Sequence, residues 1–191
     1  TKICGIEIEL HHVPSETDDQ VIVWLPEDKV LISADVIQGQ TFPNLYALRG
    51  TSFRDPMIWV DGIDHLRRME PETLIPHHGI PVVGADNIED VLVAYRDSIQ
   101  YLHDQTVRRM NHGYTPEEIR EEVIMPDHLA EHEWLGEFYG SYKHSAPAIY
   151  DGYVGWFDGD PIHLDPKPRS ERAENYVELM GGREQVLAKA K

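Results

Sequence analysis

The chain has 191 residues, 41% of them hydrophobic, and its 34 acidic against 17 basic side chains give a formal charge of −17. That is the composition of a folded globular protein rather than a disordered one, and the charge excludes nucleic-acid phosphate as a partner and opposes an anionic membrane surface. The one cysteine, Cys4, rules out an intrachain disulfide and a cysteine-based zinc site, and no apolar run reaches the roughly 20 residues of a membrane span.

Taken in order, residues 2–10 alternate as a strand and lead to His11-His12-Val13-Pro14, a loop rich in potential ligands. This opening lacks the basic start and small-residue cleavage site of a signal peptide. An apolar strand with no polar lead-in reads as a chain already in mid-fold, so further residues are expected upstream of Thr1. Residues 21–25 and 30–33 are apolar and β-branched, and Pro26-Glu27-Asp28-Lys29 between them is turn chemistry, which predicts a hairpin. Residues 39–44 are a loop, and 44–50 a short turn or helix. Helical spacing over 61–69 puts Ile63, Leu66 and Met69 on one face, with Glu70-Pro71 as the stop. Residues 73–76 are a short buried strand that delivers His77-His78-Gly79 at its end, where such strands commonly present chemistry.

After Gly84 the character changes from β-rich to helical. Residues 88–110 keep a 3.6-residue rhythm through Val91, Ala94, Tyr95, Ile99, Leu102, Val107 and Met110, with Gly113 as a stop. Thr115-Pro116-Glu117-Glu118 is a helix start for a segment reaching about Val123. Shorter helices are predicted over 127–135 and 146–154, and a pair over 170–191 broken at Gly181-Gly182.

The hairpin runs into Asp35, and a carboxylate just past a buried strand is costly unless it is paired, hydrogen-bonded or metal-bound. Glu16 stands at the hairpin's other end. With the His77-His78 pair these acids form a loop-borne set of carboxylate and imidazole donors that suits zinc or another first-row divalent ion. The same residues also fit a simpler arrangement, in which Glu16 caps a turn, Asp35 pairs with an arginine and the histidines are solvated.

Several segments carry a resemblance. The run from His11 through PNLYALRG, then IPHHGIPVVG, YLHDQTVRRMNHGYTPEEI and GWFDGDPIHLDPKP, together resemble the alkylsulfatase family of metallo-β-lactamase-fold hydrolases, in the right order and over nearly the whole chain. The resemblance implies an α/β fold, part of a metallo-β-lactamase-like αββα sandwich over residues 1–85, followed by an all-α dimerisation segment over 86–191. It implies a zinc enzyme with two ions that hydrolyses alkyl sulfate esters and works as a homodimer. Glu16 and Asp35 match family metal ligands, the second often a glutamate; the third falls on His78 rather than His77. Arg49 matches the catalytic arginine that holds the sulfate. Asn44 and Tyr46 line the same pocket, and His144 matches a position near the sulfate, although Lys143-His144-Ser145-Ala146 departs from the commoner pattern.

His11 and His12 are expected to flank the site and orient a ligand. His65, His103, His112, His128, His132 and His163 are expected at the surface or at caps. The family's His-x-His-x-Asp-His run is absent, so these residues would form only part of a metal shell. Two other readings stay open: a metallo-hydrolase of lactams, thioesters or phosphoesters, since fold does not fix substrate, and a catalytically silent dimerisation module.

Overall fold

The structure is a computed structural model that describes residues 1–47 and 50–190. They form two compact units, residues 1–156 and residues 157–191. Alternation over 2–10 predicts one strand, but the chain makes two, β1 (Lys2–Ile3) and β2 (Ile6–Glu7), paired antiparallel across Cys4 and Gly5, whose φ values are 52° and 88°. A tight turn of positive φ leaves an alternating pattern unbroken, which is why periodicity misses it. β3 (Glu9–His12) follows, so His11 and His12 lie in a strand and not in a loop.

The main sheet runs β3-β4-β5-β6-β7, with β4 (Val21–Leu25), β5 (Val30–Ala34), β6 (Thr73–Pro76) and β7 (Val82–Val83). All its pairs are antiparallel except β5 with β6. That parallel step needs a crossover, and α1 (Pro56–Arg68) provides it. The helix starts five residues earlier than the apolar spacing alone indicates, because Asp55 caps it by accepting from the backbone N–H of Met57 and Ile58, and Pro56 is pre-set for its first turn.

One sheet face carries Ile22, Trp24, Leu31 and Leu74, all buried with Trp59, Ile63 and Leu66 of α1. The opposite face is also apolar. Leu10, Val23, Ile32 and Ile75 stand in register across four strands, and Leu10 and Ile32 are exposed. An antiparallel sheet that met water on this face would alternate apolar with polar.

α2 (Ala85–Met110) packs along α1 and contributes Ile88, Leu92, Tyr95, Ile99 and Leu102 to the same core. α3 (Pro116–Glu122) opens on a full capping box between Thr115 and Glu118. α4 is shorter than predicted, Asp127–Ala130, and α5 longer, Tyr142–Val154, because Ser141 supplies an N-cap ahead of the first expected helical position. Residues 44–47 are irregular. The second unit holds α6 (Pro161–Leu164), α7 (Arg169–Leu179) and α8 (Arg183–Lys189), the last two separated at Gly181 and Gly182, whose φ values are 90° and 91°. α7 and α8 expose Tyr176, Leu179 and Leu187.

Candidate functional site

β5 ends in a kink. Its pairing with β6 shifts register between Ile32 and Ala34, and Ala34 sits at φ 46°, a left-handed conformation that costs a non-glycine residue about 1–2 kcal/mol. The next residue is Asp35. Its Oδ2 lies 2.8 Å from His77 Nδ1, and its Oδ1 lies 3.5 Å from His78 Nε2. That Oδ1 is buried without a hydrogen-bond partner, an expensive state for a carboxylate oxygen. The two imidazoles stack with centroids 4.6 Å apart, and ligand atoms of all three residues lie within 4.8 Å of one another. An orphaned carboxylate oxygen beside two nitrogen donors is a donor set that fits a divalent first-row ion.

The backbone beneath this group is tightly held. A Cβ on Gly39 would fall 2.2 Å from the carbonyl oxygen of His78, so the two loops touch backbone to backbone. Gly39 is in turn tied to α2, since the buried Tyr95 hydroxyl is shared between the carbonyls of Gly39 and Thr41, the latter at 2.6 Å. Burial pushes the Tyr95 phenol far above its ordinary pKa, so it stays a donor.

Glu16 is placed outside that group. Its Oε1 accepts from Arg54 Nη2 at 2.8 Å and from the Tyr139 hydroxyl at 3.4 Å. Arg54 is 5% exposed, and its Nη1 donates to the carbonyl of Asn44 at 2.5 Å. Asn44 is fully buried: its backbone N–H donates to Gln38 Oε1, its side-chain oxygen accepts from the N–H of Tyr46, and its Nδ2 has no partner.

Tyr46 donates its hydroxyl to the carbonyl of Tyr139 at 2.9 Å and meets the His144 ring edge-on, centroids 5.6 Å apart. Burial raises the Tyr46 phenol pKa, with the neighbouring Tyr139 adding to the shift and Arg54 opposing it. His144 Nδ1 contacts the capping Ser141 hydroxyl at 2.9 Å. The loop before α5 therefore docks on the loop after Asp35. Thr41 and Phe42 both donate to the Gly136 carbonyl, and Gly140 donates back to Phe42. A cavity of about 440 Å³ opens here, lined by Leu45, Tyr46, Ala47, Phe53, His144 and Pro147.

Asn44, Tyr46 and His144 are thus brought to one place, as are Asp35 and His78. Arg49 and Leu48 lie outside the described residues. His11 hydrogen-bonds Glu9 and contacts His65 at 3.3 Å, and His12 contacts the carbonyl of Asp18; among the described residues no hydrogen bond joins either to Glu16, Asp35 or His78. His132 and His163 pair with Asp90 and Asp158, and His103 with Asp104 and Tyr153. Sequence reasoning missed Arg54 and Tyr139. The local signal for Arg54 is no more than its place one residue ahead of a helix cap, and Tyr139 reaches Glu16 across 123 residues.

Residues 115–191 match the family model described as alkyl sulfatase dimerisation. Over 191 residues the chain is 51% identical to the linear primary-alkylsulfatase of Pseudomonas sp. (strain ATCC 19151), covering all of this chain and 36% of that protein. Among solved structures it is similar to the stereoselective inverting sec-alkylsulfatase Pisa1 from Pseudomonas sp., with a TM-score of 0.91 and 33% identity over 99% of this chain and 30% of that one. A metallo-beta-lactamase family protein from Thermus thermophilus shares the fold at a TM-score of 0.52 and 15% identity, over 81% of this chain and 46% of that one. The chain spans about a third of the length of the curated relatives it matches.

Proposed function

Since the chain belongs to the alkylsulfatase family, we propose that the protein hydrolyses alkyl sulfate esters to alcohol and sulfate at a metal centre to which Asp35 and His78 contribute. The observation that carries this reading is the buried Oδ1 of Asp35, which accepts no hydrogen bond and stands beside two imidazoles. Glu16, Asp35 and His78 are proposed to hold zinc, two ions in all, with the remaining ligands supplied from outside this stretch. A bound zinc ion supplies Lewis acidity toward the ester and lowers the pKa of a water molecule to near neutrality.

The chain's own residues then bind and orient the ester. Arg49 grips the sulfate through its fork of donors and supplies local positive charge on a molecule of formal charge −17. Asn44, whose Nδ2 lacks a protein acceptor, and Tyr46 and His144 at the adjacent cavity position the ester. The helical segment from residue 86 onward is proposed to mediate homodimer formation, in keeping with the dimerisation match over 115–191.

The test of substrate class is Arg49. Arg49→Lys keeps the charge but loses the fork and should impair hydrolysis of a medium-chain alkyl sulfate markedly. Arg49→Ala should lose about 2–5 kcal/mol of transition-state stabilisation. Zinc content should stay at the wild-type level in both. Measuring kcat/KM in parallel for the sulfate and for a neutral ester or lactam separates the readings: equal loss on both substrates, or wild-type rates on the sulfate, contradicts a sulfatase.

A further inference from the structure

Arg54 is a guanidinium at 5% exposure whose Nη2 meets Glu16 and whose Nη1 meets the Asn44 carbonyl, while its Nε is buried without a partner. Such a pair is a poor choice for stability alone, because desolvating the two charges offsets much of their attraction and a well-packed apolar pair of similar volume is often as stable. Its position is unusual for what it joins. Arg54 immediately precedes Asp55, the N-cap that accepts from Met57 and Ile58, so its backbone is fixed by the first turn of α1. From that anchor one side chain reaches both Glu16, ahead of β4, and Asn44, the start of the segment that carries Tyr46. Among the described residues both contacts to Glu16, from Arg54 and from Tyr139, fall on Oε1.

We infer that Arg54 is a positioning residue that fixes the Glu16 carboxylate and the Asn44–Tyr46 segment against each other, engaging Oε1 and so leaving Oε2 as the oxygen available to a metal. The inference rests on the proposed metal-dependent reading of the same site. Arg54 acts through Glu16 and Asn44, the groups it contacts. A guanidinium is suited to this because its planar fork holds two acceptors at a fixed separation, which a lysine ammonium on a flexible stem does not.

The experiment measures zinc affinity of the full-length protein by competition with a chelator, for wild type, Arg54→Lys, Arg54→Gln, Glu16→Ala and the double variant Glu16→Ala/Arg54→Lys. Loss of an orienting partner typically weakens metal binding by about 10–100-fold, and Arg54→Lys should fall in that range. In the Glu16→Ala background the same change should add less than about twofold, because the group it orients is gone. Unchanged zinc affinity in both Arg54 variants overturns the inference. So does an equal fold-loss with and without Glu16, and so does failure of both variants to fold, which would make Arg54 a structural pillar. A wild type that binds zinc but releases no sulfate from an alkyl sulfate contradicts the sulfatase reading and leaves the zinc measurement to decide Arg54 on its own; a wild type that binds no zinc overturns both.

Discussion

A methyl group on Gly39 would sit 2.2 Å from the His78 carbonyl oxygen, on a backbone already at φ +131°, so this one glycine sets how closely the Asp35 loop and the histidine loop can approach. Gly39→Ala should therefore reduce the zinc bound by the full-length protein as well as its melting temperature. Gly113 offers the control: it has φ +83° and open space around it, so Gly113→Ala should lower stability by about 1 kcal/mol and leave zinc content alone. Elemental analysis alongside thermal melts checks both, and equal zinc content in the two variants would detach Gly39 from the site. At this scale the sequence exposes some roles and hides others. Asp35 and the His77-His78 pair are legible because strand patterns place them at strand ends, where a carboxylate needs a partner. The Arg54–Glu16 pair and the Tyr139 contact are not, because they depend on how two loops and the α1 cap meet in space.

Among the elements, α2 reaches the site through the Tyr95 hydroxyl. Tyr95 falls on the apolar stripe of α2 and reads as an ordinary core aromatic, yet its oxygen is shared by two carbonyls of the loop that crowds His78. Tyr95→Phe keeps the ring's packing but removes the hydroxyl donor from both carbonyls, leaving the Gly39 carbonyl, among the described residues, only the Thr41 N–H as a partner. It should destabilise the protein by about 1–3 kcal/mol in urea unfolding, with little change in the denaturant slope; an unchanged midpoint would mean the loop is held without it. Long helices with caps are the most legible elements, as α2 and α3 show, because their apolar rhythm and the Thr115 capping box are local. The start of α1 is hidden because its first turn is fixed by a cap rather than by apolar spacing. The β1–β2 turn is hidden because alternation carries no record of positive φ at Cys4.

At the largest scale, residues 1–156 supply a five-stranded β layer with α1 and α2 on one face, which is half of an αββα sandwich. The second face of that layer, with Leu10, Val23, Ile32 and Ile75 in one row, is the kind of surface on which a facing sheet packs in such a sandwich. The relatives that extend beyond this stretch carry the alkylsulfatase name, and the solved sec-alkylsulfatase shares the fold over this stretch. On the proposed reading, a strongly acidic molecule that takes an anionic ester would need concentrated positive charge at the site, which the proposed metal and Arg49 would supply. The measurement that bears most directly on this is sulfate release from a medium-chain alkyl sulfate by the full-length protein before metal removal, after dialysis against a chelator, and after zinc is returned. The account predicts that release stops on chelation and is restored by zinc, with the protein folded throughout; undiminished release from the folded, metal-depleted protein would contradict it.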